Sequence, residues 1–274
     1  MLSNLSSMST NGTRAGDQVL VDLDDGVLRI EINRPDSLNA VTADVLEDMA
    51  DAVEKAATES DVHVIVLSGA GRAFSSGADI GGDGELSDEG GPAATLDGAN
   101  RLVAAVRDVP RPVVSVVQGP CAGVGVSVAL SADLVLASSK AFFMLAFAKI
   151  GLMPDGGATA LVAASIGRAK AMRMALLAER LTASEAHEAG LVSHVFDAET
   201  FEQDVEDVIA GLRQGPMAGY ARTKHAVNEA TLGALDAAFA LEREGQLGLL
   251  AAGDFAEGVA AFNDKRTPKF RDTP

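Results

Sequence analysis

Apolar and polar residues alternate along two short runs near the start of the chain, 19–24 and 27–33. Asp25-Gly26 between them supplies a two-residue turn, so the pattern predicts a β-hairpin. The period then changes: Val45, Met49, Ala52, Val53 and Ala56 recur at helical spacing within 42–60, with Thr42 as the N-cap. A strand over 62–68 follows. The stretch from Ile80 to Pro92, rich in Gly and acidic residues (Gly81-Gly82-Asp83-Gly84-Glu85), reads as a mobile loop before a helix over about 93–108. Val113-Val114-Ser115-Val116-Val117, preceded by Pro110 and Pro112, is continuous and β-branched and predicts a buried strand. A glycine-rich turn from Gly119 then opens an apolar helix near 122–132, and a short strand is predicted at 134–137. Beyond Gly157 the pattern is helical, apart from a short strand near 192–196.

Strands alternating with helices, then helices alone, indicate an α/β core with a helical C-terminal part. The division this suggests is a polar segment over 1–16 expected to be disordered, a core over 17–200 and a helical part over 201–274. No strict internal repeat is visible.

Composition narrows the function classes. A chain of 274 residues, 47% hydrophobic and 22% charged, can bury a large core. A net charge of −17 disfavours nucleic acid and anionic membrane as partners. A few basic residues placed locally can still receive an anionic ligand. One cysteine, Cys121, excludes an internal disulfide, fits a reducing compartment and reads as a small buried residue rather than a nucleophile. Residues 1–16 lack the apolar centre of a signal peptide, and no apolar run is long enough to span a bilayer. The expected location is the cytoplasm.

The candidate chemistry lies in two small-residue turns. Ala73-Phe74-Ser75-Ser76-Gly77-Ala78-Asp79-Ile80 follows a strand, and its glycine and alanines leave main-chain N–H groups free to aim at a ligand oxygen. A plainer reading is a tight turn into a helix, with Asp79 as its cap. Gln118-Gly119-Pro120-Cys121-Ala122-Gly123-Val124-Gly125 also follows a strand and opens a helix, whose first N–H groups are unpaired and carry partial positive charge. Each turn can supply one N–H to a developing oxyanion.

These pieces, with Asn33-Arg34-Pro35-Asp36-Ser37-Leu38-Asn39-Ala40, Lys149-Ile150-Gly151-Leu152-Met153-Pro154-Asp155-Gly156-Gly157 and Ala261-Phe262-Asn263-Asp264-Lys265-Arg266-Thr267-Pro268, resemble in order and spacing the crotonase superfamily, the enoyl-CoA hydratase/isomerase family. The resemblance runs from about Val19 to Phe270. It implies a spiral of ββα units with a helical C-terminal part serving trimer assembly, as a homotrimer or a dimer of trimers. It also implies an acyl-CoA thioester as substrate, with coenzyme A entering as part of it and no metal or redox cofactor. By position, the oxyanion donors are the N–H groups of Ala78 and Val124; a glycine is usual in hydratases where Val124 stands.

The two glutamates that hydratases of the family place around the double bond correspond here to Ser127 and Phe147, neither of which exchanges protons as a carboxylate does. Asp155 stands where isomerase branches carry their acidic residue. One carboxylate suffices to move a proton between carbons two apart, with the enolate held by the oxyanion hole. Asp155 can instead N-cap the helix that begins near Gly157. The leading expectation is thus an isomerase-type enzyme shifting a double bond or opening a strained acyl-CoA. The alternatives are a hydratase by another route, with water held by Ser127, or a non-catalytic acyl-CoA binder.

The resemblance assigns Ser37, Leu38 and Ala40 to the nucleotide and pantetheine. It assigns Phe262 and Lys265 to the adenine and phosphate of a neighbouring subunit's ligand, although Lys265 with Arg266 also reads as a solvated basic tail. Ser76, Ala78, Ile80 and Phe147 belong with the bound thioester, and the 80–95 loop with specificity. Two patterns carry little. Gly119-x-x-x-Gly123-x-Gly125 with Tyr220-x-x-x-Lys224 imitates a short-chain dehydrogenase, but its glycine turn comes far too late in the chain. His63, His187, His194 and His225 show no metal-ligand spacing.

Overall fold

The hairpin closes as its turn chemistry requires. β1 (Val19–Asp24) and β2 (Val27–Ile32) pair antiparallel to the last residue, and Asp25 (φ 45°) and Gly26 (φ 83°) both take the left-handed backbone of a tight two-residue turn. The structure, a computed structural model, describes residues 18–80 and 91–273. The expectations for residues 1–16 and for the loop between Ile80 and Pro92 therefore fall outside the described residues, except at those two ends.

α1 (Ala43–Ala56) starts where Thr42 accepts a hydrogen bond from the Val45 N–H at 3.4 Å, and its buried face is Val45, Leu46, Met49, Val53 and Ala56. Removing that cap with Thr42→Ala is expected to lower stability by about 1 kcal/mol. Chemical denaturation reads this as an earlier midpoint, with the slope unchanged.

β3 (Val64–Gly69) and α2 (Pro92–Asp108) follow, then β4 (Val113–Val117), β5 (Pro120–Ala122), α3 (Val124–Ser131), β6 (Leu134–Ser138) and β7 (Phe142–Met144). After a 3-10 turn over Ala146–Ile150 come α4 (Ala158–Leu177), β8 (Leu181–Thr182), α5 (Ala183–Ala189), β9 (His194–Phe196), α6 (Phe201–Arg213), α7 (Met217–Thr231), α8 (Leu235–Leu250) and α9 (Gly253–Asn263).

The strands form a large sheet in the order β1-β2-β3-β4-β6-β9, parallel from β2 onward, and a small sheet in the order β5-β7-β8. β5, β7 and β8 are absent from the sequence expectations: two or three residues are too few to show a period. They make the spiral. The chain runs through a large-sheet strand, then a small-sheet strand, then a helix, as β4–β5–α3 and again as β6–β7 with the 3-10 turn and α4. A bridge between Ser75 and Cys121 extends the small sheet to the segment after β3.

One face of the large sheet packs α1, α2 and α3 around Ile30, Ile32, Leu46, Met49, Ile65, Leu67 and Phe74. The opposite face, with Val27, Val64, Val66, Val114 and Leu136, is covered by Phe201, Val205 and Ile209 of α6. The packing of the α/β core thus continues past residue 200. α8 lies on α2 and α4, and α9 lies on the 3-10 turn. No helix among the described residues is long and apolar enough to cross a membrane.

Candidate active site

The segment after β3 is held by a buried asparagine. Asn39, at φ 57°, donates through Nδ2 to the carbonyls of Ala70 (2.9 Å) and Ala73 (2.7 Å) and accepts the Arg34 N–H at 3.0 Å. This ties the 34–40 turn to the 70–77 segment. Ser76 strengthens the tie: its N–H donates to Leu38 O at 2.9 Å and its hydroxyl to Ser37 O at 3.2 Å.

Val41 then pairs with Ala78 as in a parallel ladder. The Val41 N–H donates to Gly77 O and the Asp79 N–H to Val41 O, both at 2.9 Å. In such a ladder the paired residue's own N–H points the other way. Ala78 N–H is that group, and it donates to no protein oxygen among the described residues.

Val124 supplies a second such group. It is the first residue of α3, with Gly123 as N-cap, and its N–H has no partner within the helix. The two segments meet through glycine. A β-carbon on Gly77 (φ 103°) would lie 3.1 Å from Ala122 O, and one on Gly123 (φ 54°) would lie 3.3 Å from Gly77 Cα. Only glycine at both places lets the two N–H donors border one cavity.

That cavity has a volume of about 90 Å³. Ser76, Ala78, Ile80, Val124, Phe147 and Asp155 all line it, together with Gly77, Gly123, Thr95, Leu96, Ala146, Ile150, Leu152, Gln246, Leu250 and Phe255. Asp155 is the ionisable group among these. Its Oδ2 accepts Gln246 Nε2–H at 2.7 Å, while Oδ1 is buried without a hydrogen bond. Burial pushes its carboxyl up to about 7; the Gln246 hydrogen bond opposes the rise and the charge of Glu242 adds to it.

Asp155 does not cap α4. Gly157 (φ 80°) is the N-cap residue, and the helix N-terminus is satisfied by Glu242 of α8. Glu242 accepts from Gly157 N at 2.7 Å, Thr159 N at 2.8 Å and Thr159 Oγ1 at 2.5 Å. Burial raises the Glu242 carboxyl against these bonds. Asp79 forms an ion pair with Arg34 at 2.7 Å, and Arg34 also bonds the Ala40 carbonyl; the segment that Asp79 was expected to cap lies outside the described residues. Ser127 does not hold water for the cavity. It is fully buried, off the lining, and donates to the Asp155 main-chain carbonyl at 2.7 Å.

Ser37, Leu38, Ala40, Phe262 and Lys265 do not line the cavity. The first three lie on the turn tied to Ser76. Phe262 is 72% exposed near the end of α9, and Lys265 follows that helix with φ 53°. Cys121 is fully buried, which pushes its thiol up. Lys224 is structural: it pairs with Asp133 at 3.0 Å and donates to the carbonyls of Val106 and Arg111. His187 and His194 come within 5.9 Å of each other, ring to ring, yet no metal-binding cluster occurs among the described residues.

The profile of the enoyl-CoA hydratase/isomerase family matches residues 22–273. The chain belongs to that family. It is 35% identical over 257 residues to a 1,2-epoxyphenylacetyl-CoA isomerase of Escherichia coli (strain K12), covering 92% of this chain and 97% of the relative. To a probable enoyl-CoA hydratase of Rhodobacter capsulatus it is 39% identical over 251 residues, covering 91% and 96%. A crystal structure of an enoyl-CoA hydratase from Mycobacterium avium subsp. paratuberculosis K-10 superposes with a TM-score of 0.88 at 54% identity, covering 93% of this chain and 99% of that one. The α/β spiral is thus the crotonase fold, and the protein is an enzyme family member suited to acyl-CoA thioesters.

Sequence reasoning missed Gln246 and Glu242. Their signal was present: Leu235, Ala238, Glu242 and Gln246 share the buried face of α8, and two polar groups on a buried stripe need partners. The apolar cavity wall from α2, α8 and α9 left no local signal.

Proposed function

We propose that this enzyme is of the isomerase type, shifting a double bond in an enoyl-CoA or carrying out a related acyl-CoA rearrangement through an enolate. The observation that carries the reading is the raised carboxyl of Asp155, the one charged side chain among the described residues of a cavity that also borders two N–H groups without a described partner. The Asp155 carboxylate removes a proton from the carbon beside the thioester. The electron pair of that C–H bond moves onto the thioester oxygen, where the Ala78 and Val124 N–H groups stabilise it. The same carboxyl then returns the proton two carbons away, which moves the double bond. Coenzyme A enters as part of the substrate, and the steps require no metal or redox cofactor.

Ser37, Leu38 and Ala40 belong in this reading to the CoA face of the site, and Phe262 and Lys265 to the ligand of a neighbouring copy in a trimer. The exposure of Phe262 and the lack of any buried residue in α7 of the single chain support such an assembly. The expected location remains the cytoplasm.

A paired assay tests the reaction type. Conversion of a 3-enoyl-CoA, without hydration of a 2-enoyl-CoA, is the expected result. Hydration of the 2-enoyl ester would place the protein with the hydratases named among its relatives and remove the single-carboxylate reading.

A further inference from the structure

Gln246 meets Asp155 in a geometry that leaves its amide no choice of orientation. The Met153 main-chain N–H, which can only donate, points at one end of that amide from 3.2 Å, so Oε1 stands there. Nε2 therefore faces Asp155 and donates to Oδ2 at 2.7 Å. Gly245, the preceding residue, lies against the Met153 side chain: a β-carbon there would lie 2.5 Å from Met153 Sδ. Gln246 is itself only 2% exposed, so water does not compete for these bonds.

We propose that Gln246 is a positioning residue for the proton shuttle: it occupies Oδ2 of Asp155 and thereby confines the travelling proton to Oδ1. The inference rests on the reading of Asp155 as that shuttle. An oxygen already accepting an amide N–H is the poorer site for a proton, whereas Oδ1 is buried and has no partner. On abstraction the substrate C–H bond breaks and an Oδ1–H bond forms; on return the Oδ1–H bond breaks and the new C–H bond forms. With the carboxyl unable to swing, both transfers use one oxygen on one face of the substrate.

The surroundings of Asp155 make Gln246 the main lever on it. α8 presents Glu242 and Gln246; α3 presents Val124 and Ser127; the 3-10 turn presents Phe147; α9 presents Phe255. Among these, Glu242 is the charged group, and its oxygens are engaged by Gly157 and Thr159.

The test compares the unaltered protein with Gln246→Leu and Gln246→Met on a 3-enoyl-CoA across a pH series. The inference expects kcat to fall about tenfold with KM within about twofold, and the acid limb of kcat/KM to move up by about one pH unit, because a bond that favours the carboxylate is lost. Gln246→Met fills nearly the same space and also lacks the donor, so it carries the same readout if the leucine variant does not fold. An acid limb that stays in place in the folded variants, or a raised KM with kcat intact, overturns the inference and leaves Gln246 as cavity wall. Asp155→Asn is run alongside. Full turnover there removes the shuttle reading itself, whereas a dead Asp155→Asn with unmoved Gln246 limbs removes only the positioning role.

Discussion

Asp155→Asn is expected to lower kcat on a 3-enoyl-CoA by about 10²–10⁴-fold while leaving CoA-ester binding near that of the unaltered protein. The size follows from the loss of the cavity's only ionisable side chain among the described residues, with no neighbour placed to replace it. Asparagine keeps an oxygen for the Gln246 amide, so the local packing survives. The unaltered protein should lose kcat/KM as pH falls below about 7, because the shuttle must start as a carboxylate.

The same group carries a stability consequence of known sign. Its folded pKa lies above the unfolded value, so folding favours the protonated form. The contribution is fully present below the ordinary aspartate value of 3.8 and is lost as pH rises through about 7. Asp155→Asn should therefore melt above the unaltered protein at alkaline pH, with the difference shrinking as the pH is lowered. A thermal melt series checks this. A catalytic loss paired with a stability gain marks a functional carboxyl; a loss of both marks a structural one.

The second large effect concerns the main chain. Ala78→Pro and Val124→Pro each delete one N–H and should each cost about 10²–10³ in kcat. Val124→Pro is the cleaner of the two. Val124 is the first residue of α3, a position where proline is favoured because its missing N–H is not used by the helix. Ala78→Ser keeps the N–H and should retain activity. Circular dichroism and CoA-ester binding check that both proline variants are folded. Full activity in folded proline variants would remove the oxyanion assignment.

Two relatives with different names, an isomerase and a probable hydratase, share most of this chain's length at similar identity. The fold therefore does not choose the reaction; side chains in the cavity do. Ser127 is sealed in the core, Phe147 forms part of the cavity wall, and neither is a carboxylate.

Much of this architecture is legible in the residue pattern. Asp25-Gly26 specifies its hairpin through local backbone chemistry, Thr42 specifies a helix start, and the β-branched run at Val113 specifies a buried strand. Each signal is contained within a few consecutive residues. The two small-residue turns are visible in the same way, and the resemblance to the family singles out Ala78 and Val124 within them.

Other features depend on residues far apart in the chain. The short strands β5, β7 and β8 exist because neighbours supply their hydrogen bonds, not because three residues prefer to extend. Whether Asp155 capped a helix or faced a cavity was decided by α8, more than eighty residues later, where Glu242 took over the cap and Gln246 took hold of the carboxyl. The sequence by itself determined the longer elements, because these rest on local propensity and turn chemistry, and the family, because its motifs keep their order and spacing along the chain. Only the tertiary structure decided the burial of Asp155 and the orientation of its oxygens, because desolvation and hydrogen-bond pairing are properties of what folds against a residue.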